Sequence, residues 1–188
     1  MPRGLAFQAR ARFPLTHMPS GKVHDKITVA TAALAAPAVW LLTPSHDPLT
    51  SCAAVAGYVF GGLWMSDDLD THSVAYKRWG ALRILWWPYK KLVPHRSWIS
   101  HGLGVGPLLR VAYFTLALYV AAHALLGIIN TWIIPLNRDD VLRQAAIWLL
   151  AVLSRHQSLA AWALGGLIAA GIAHGALDRA VSTAKKLW

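Results

Sequence analysis

Long apolar runs alternate with short polar links along the chain, and the runs set its architecture. Apolar residues dominate 27–42, 49–65, 103–134 and 159–177, with a shorter run at 144–153. A run with no polar face has nothing to present to water, and about 20 such residues cross a bilayer as a helix. The first run is at the short limit; Ser20 or the Ser20–Gly21 pair opens its helix, His24 and Asp25 occupy the first polar turn, and Pro37 kinks it. A turn through Pro44 and Pro48 leads into the second run, where Gly57, Gly61 and Gly62 allow close packing against the first helix as a hairpin. The third run is broken only by Arg110 and His123 and reads as one long tilted span with Arg110 near its interfacial end. Residues 144–153 are too few to span, so that run is expected at the interface or packed on the bundle. The prediction is an all-α, polytopic membrane helical bundle: about four transmembrane helices, near 27–42, 49–66, 107–134 and 158–177, plus interfacial helices.

Composition strengthens that reading, since 56% hydrophobic and 14% charged residues are too apolar for an ordinary soluble domain. A length of 188 residues suits one domain, placed at 18–188. Residues 1–17 are basic and lack an apolar signal-peptide core, so they are expected to form a disordered extension, with Met18 as the effective start.

The net charge of +10 changes the picture of partners. The cations flank apolar runs instead of lining one polar face, which suits anionic lipid headgroups and argues against nucleic acid. By the positive-inside rule the N-terminus, the link 71–101 and the C-terminus belong on the cytoplasmic side of a bacterial inner membrane. Four spans satisfy this, with both termini cytoplasmic and the links near 45 and 138 on the other side. Within the central link, Lys and Arg interleave with Trp79, Trp86, Trp87 and Tyr89. Two readings are open for this segment: it lies along the membrane surface, or its rings are core anchors.

Candidate chemistry gathers at one end of the predicted bundle. The single cysteine, Cys52, excludes an intrachain disulfide and Cys-rich metal sites, and all eight acids are aspartates. Under the four-span topology His24, the cluster Asp67, Asp68 and Asp70, the pair His95 and His101, and finally His174 with Asp178 all reach the same face. His174 and Asp178 share one side of a helix, and burying both at the end of an apolar span is costly without a partner. Three aspartates within four residues are unfavourable unless cations neutralise them. Imidazole with carboxylate suits zinc, manganese or iron. One or two divalent transition-metal ions are expected, zinc first, held by His24, Asp68, Asp70, His95, His101, His174 and Asp178. Such ions activate water and clamp phosphoryl or acyl oxygens. Arg96 is the expected electrophilic partner of an anionic group, with lipid-headgroup pairing as its alternative, and Asp67 is the second candidate catalytic residue. Ser97 and Ser100 are candidates to orient ligands, His72 is close enough in sequence to join, and His123 is expected as a hydrogen-bonded packing residue.

An early His before an apolar hairpin is followed by D-x-D (Asp68 and Asp70, preceded by Asp67), HR-x4-H (His95, Arg96, His101) and H-x3-D (His174, Asp178). This order resembles the YdjM-like membrane-bound metal-dependent hydrolases. The opening MPSGKVHDKIT and the stretch KRWGALRILWWPYKKLVPHRSWISHG look closer still to a bacterial, notably cyanobacterial, family of metal-binding membrane proteins. The likeness runs from about Met18 to Asp178, and HRSWISH stands where YdjM-like members carry an HRG-x-THS form. What the resemblance implies is a metal-dependent hydrolase of the inner membrane.

The leading expectation is therefore hydrolysis of a phosphoester or lipid-like substrate at the cytoplasmic face by a metal-activated water. The alternative is a non-catalytic protein whose ion staples helix ends together. A metal transporter ranks lower, because the ligands gather at one face and not at the midplane. Expected partners are membrane lipids and an anionic small-molecule or lipid substrate; an oligomer is left open.

Overall fold

A computed structural model describes residues 21–43, 46–94, 97, 100, 102 and 104–184. Among these residues the chain is all α, with no strand. The helices are α1 (Gly21–Leu42), α2 (Pro48–Leu63), α3 (Val74–Arg78), α4 (Trp87–Leu92), α5 (Val105–Trp132), α6 (Arg138–Arg155) and α7 (Gln157–Ala184). Two 3-10 turns, Asp67–Asp70 and Gly80–Trp86, complete the central link. Four segments are long and apolar enough to cross a membrane: Gly21–Leu42, Pro48–Asp70, Val105–Trp132 and Gln157–Thr183. The expectation for residues 1–17 falls outside the described residues.

Local chemistry accounts for the first hairpin. Helix α1 continues through Pro37, although proline offers no N–H to the preceding turn. The turn after it is tied by Trp40 Nε1, which donates to the His46 carbonyl at 2.8 Å. Asp47 then caps α2, accepting from the Leu49 and Thr50 amides at 3.1 Å each and from the Thr50 hydroxyl at 2.6 Å, with Pro48 at the first helical position.

The backbone of the bundle is the pair α2 and α7, with α1 packed on α2. Two glycines set the α2–α7 distance. A Cβ on Gly57 would lie 1.9 Å from the Ala163 carbonyl oxygen, and one on Gly166 would lie 2.0 Å from that of Ala54. Only hydrogen fits at either crossing, which is how small residues drive association where lipid removes the hydrophobic incentive. Helix α5 is apolar all round and joins the bundle chiefly through its first turns, where Gly106, Pro107 and Arg110 are buried.

The central link folds into a small aromatic core beneath the start of α5. Trp86 and Tyr89 are buried, and Trp86 stacks on Phe114 of α5 with centroids 5.4 Å apart and planes 2° from parallel. Tyr113 of α5 donates to the Leu85 carbonyl at 2.6 Å and accepts from the Tyr89 amide at 3.2 Å. Trp87, by contrast, is 54% exposed. The segment therefore divides between the two roles open from its sequence, one face forming core and the other facing outward. Helix α6 touches its neighbours α5 and α7 but has no buried residue, so the run at 144–153 adds nothing to the core of the bundle.

Candidate metal centre

Three elements deliver side chains to one end of the bundle. His24 comes from the first turn of α1, His174 and Asp178 from the last turns of α7, and Asp67, Asp68 and Asp70 from the 3-10 turn after α2. That turn begins at Ser66, whose hydroxyl accepts from the Asp68 amide at 3.4 Å and so starts the tight coil before the helix can continue. The close α2–α7 crossing holds the turn against the end of α7.

Ligand atoms of His24, His174 and Asp178 all lie within 4.8 Å of one another, and both histidines are buried. The imidazoles stack with centroids 4.1 Å apart and 19° between planes. His24 Nε2 is 3.4 Å from Asp178 Oδ1, and His174 Nε2 is 3.7 Å from Asp178 Oδ2. His174 Nε2 also lies 3.7 Å from Asp68 Oδ2, so a second carboxylate borders the same space.

The donor set fits a divalent transition metal. Two imidazole nitrogens and a carboxylate form a mixed set of the kind that suits zinc, manganese or iron. His174 Nε2 is buried with no hydrogen-bond partner among the described residues, a costly position for a lone polar atom and an apt one for a ligand.

Arg110 lies near the start of the span Val105–Trp132, as its sequence position predicts, and what the sequence left open is its partner. Its side chain is 1% exposed and turns inward to Asp67, itself 3% exposed. Its Nη2 donates to Asp67 Oδ1 at 2.5 Å and its Nη1 to the Ser100 carbonyl at 3.0 Å. The available signal was the cost of a lone cation inside an apolar run, which calls for a buried partner. A second unforeseen pair links Asp25, beside His24, to Arg78 of α3, with Nη2 donating at 2.6 Å. Arg78 also donates to the Leu63 carbonyl and sits 5.4 Å over the Trp64 ring, tying the central link to α1 and α2.

The remaining candidates distribute as follows. Asp70 is buried in the same 3-10 turn. His95, Arg96 and His101 lie outside the described residues. His72 is exposed and meets Lys90 Nζ at 2.7 Å, away from the cluster. His123 lies midway along α5, 6.0 Å from the Tyr119 ring, and its Nδ1 has no hydrogen-bond partner among the described residues, unlike the bonded packing residue expected.

Residues 19–188 match a family described as uncharacterized metal-binding protein, DUF2227. The chain belongs to the DUF2227 family. That description agrees with the His24, His174 and Asp178 cluster, and it speaks of metal binding without mention of hydrolysis. An uncharacterized protein of Aquifex aeolicus is 38% identical over 58 residues, which cover 30% of this chain and 40% of the relative. The alignment thus spans about two-fifths of that relative's length. No solved structure matches the chain significantly.

Proposed function

We propose that this DUF2227 member is a metal-dependent hydrolase set at one face of a bacterial inner membrane, acting on a phosphoester or lipid-like substrate. The observation that carries the reading is the trio His24, His174 and Asp178, whose ligand atoms lie within 4.8 Å of one another. Among the described residues the trio supplies three ligands, the number that catalytic sites use while keeping a position for water or substrate. When bound, the ion supplies Lewis-acid activation of water near neutral pH. The chain's own residues do the rest. Asp68, 3.7 Å from His174 Nε2, is placed to complete the ligand set or to accept a proton. Arg110 holds the Asp67 carboxylate in register beside it. Arg96 is the residue whose type suits a substrate anion. The resemblance of the motif order to the YdjM-like hydrolases supports the same reaction class, and the basic central link supports a cytoplasmic position for this face.

A structural ion is the second reading, favoured by ligands that arrive from two helices far apart in sequence, α1 and α7. Metal analysis of the purified full-length protein, paired with hydrolysis assays on phospholipids and model phosphoesters, separates the two. A hydrolase shows bound metal that His174→Ala and Asp178→Ala abolish, together with turnover that chelation removes and added metal restores. Fully loaded protein that turns over no substrate across the panel, while chelation collapses its melting temperature, would leave only the structural role.

A further inference from the structure

The outward face of the central link carries more positive charge than the metal centre uses. Residues 71–101 contain Lys77, Arg78, Arg83, Lys90, Lys91 and Arg96 and no acid. Arg78 is engaged with Asp25. Arg83, Lys90 and Lys91 are in no ion pair among the described residues. Arg83 lines one open cleft of about 440 Å³ together with Tyr76, Ala81, Ile84 and Trp87, and Lys90, which also meets His72, and Lys91 adjoin two of its rings. Lys90 Nζ stands 4.7 Å over the Tyr76 ring and Lys91 Nζ 6.0 Å over the Trp87 ring, so each aromatic wall of the cleft carries a cation. Arg83 supplies the third from within the lining.

The same segment exposes large apolar side chains. Leu82, Ile84, Trp87 and Leu92 are 57%, 72%, 54% and 77% exposed, and Ile84 and Trp87 line the cleft. In a soluble protein such a cluster would be a liability, whereas at a bilayer surface apolar and Trp side chains sit among the upper acyl chains and the cations beside them reach headgroups. The opposite face of the same segment is locked into the core through Trp86 and Tyr89, so the cleft is a rigid surface.

We propose that this cleft binds the headgroup of an anionic phospholipid, in the leaflet on the metal-centre side of the membrane. Arg83, Lys90 and Lys91 meet the phosphate, and Leu82, Ile84, Trp87 and Leu92 enter the acyl region. Charge complementarity selects this occupant: one cation lines the cleft, two adjoin its rings and residues 71–101 contain no carboxylate, so a zwitterionic headgroup finds no partner there for its own cation. The assignment rests on the membrane-spanning reading and is independent of hydrolysis, because retention of a lipid is read without turnover.

Native mass spectrometry of the full-length protein in detergent, titrated with phosphatidylglycerol or phosphatidylcholine, tests it. Phosphatidylglycerol is expected to bind the more tightly and to weaken as salt rises. Near a membrane surface each cation contributes about fivefold, so Arg83→Gln/Lys90→Gln/Lys91→Gln should lower phosphatidylglycerol affinity on the order of a hundredfold. Arg138→Gln/Arg143→Gln/Arg155→Gln on α6 should leave it unchanged. Equal affinity of the unmodified protein for the two lipids would overturn the proposal whether or not the variants fold. Displacement of the lipid by millimolar inorganic phosphate would also overturn it, by showing a free-phosphate site.

Discussion

Removing the guanidinium at position 110 is the most informative single perturbation of this protein. Arg110 and Asp67 are 1% and 3% exposed, and the cation is held by the Asp67 carboxylate and the Ser100 carbonyl. Arg110→Ala leaves the Asp67 charge buried without its cation, a situation that costs about 3–5 kcal/mol. For a chain of this length each kcal/mol moves the melting temperature by about 2–4 °C, so the expected fall is roughly 6–20 °C. Replacing both partners by apolar residues, as in Arg110→Met/Asp67→Leu, removes the stranded charge and should restore most of that loss, because buried ion pairs are often no more stable than well-packed apolar substitutes. Thermal unfolding of metal-free protein in detergent measures both effects as a double-mutant cycle. Metal affinity adds a readout that stability alone would not move. Asp67 shares its 3-10 turn with Asp68, which lies 3.7 Å from His174 Nε2, so loss of its anchor should weaken metal binding by about 10–100-fold, the usual effect of groups that orient ligands. A fall of under about 2 °C in Arg110→Ala, judged against that scale, or a double variant as unstable as the single one, would refute the reasoning.

Two further outcomes follow from the packing and capping already described. Gly166→Ala should destabilise by about 1–3 kcal/mol or prevent folding, since its Cβ would lie 2.0 Å from the Ala54 carbonyl oxygen. The neighbouring Gly165→Ala has nothing within 4 Å of its Cβ and should be neutral or stabilising, and thermal unfolding of the pair checks the contrast. The Asp47 carboxyl is held below its usual value by the Thr50 hydroxyl first and then by the Leu49 amide. Its contribution is therefore present above the unfolded-state pKa and lost as pH falls through the lower folded-state value. Asp47→Asn, which keeps a capping oxygen but cannot titrate, should flatten the acid limb of a melting-temperature profile, and an unchanged limb would rule out this cap as a contributor.

Much of the architecture was legible in the residues because length and hydrophobicity are local properties. The four apolar runs had to be helices, since hydrocarbon leaves backbone groups no other partner. An even number of crossings returns the chain to one side, so His24, Asp68, His174 and Asp178 could be assigned to a common face from order alone. The i,i+4 spacing of His174 and Asp178 then placed both on one side of α7, where the structure finds their ligand atoms 3.7 Å apart.

What the sequence could not decide was rotation and contact. Helix α5 is apolar all round, so its pattern contains nothing to say which side faces the bundle, and Arg110 could as well have pointed to headgroups as to Asp67. The answer came from packing: the buried first turns at Gly106 and Pro107 seat α5 against the bundle and aim Arg110 inward. The aromatic link was ambiguous for a related reason, since a short segment with rings at Trp79, Trp86, Trp87 and Tyr89 has too few turns for a period to emerge. Only the 3-10 turn and its contacts with Tyr113 and Phe114 divide them, burying Trp86 and Tyr89 and leaving Trp87 outside. Sequence thus determined which elements exist and at which end the chemistry collects, because those follow from local composition and chain direction. Tertiary structure alone decided which charges pair and which ligand atoms converge, because both depend on how each helix is turned against its neighbours.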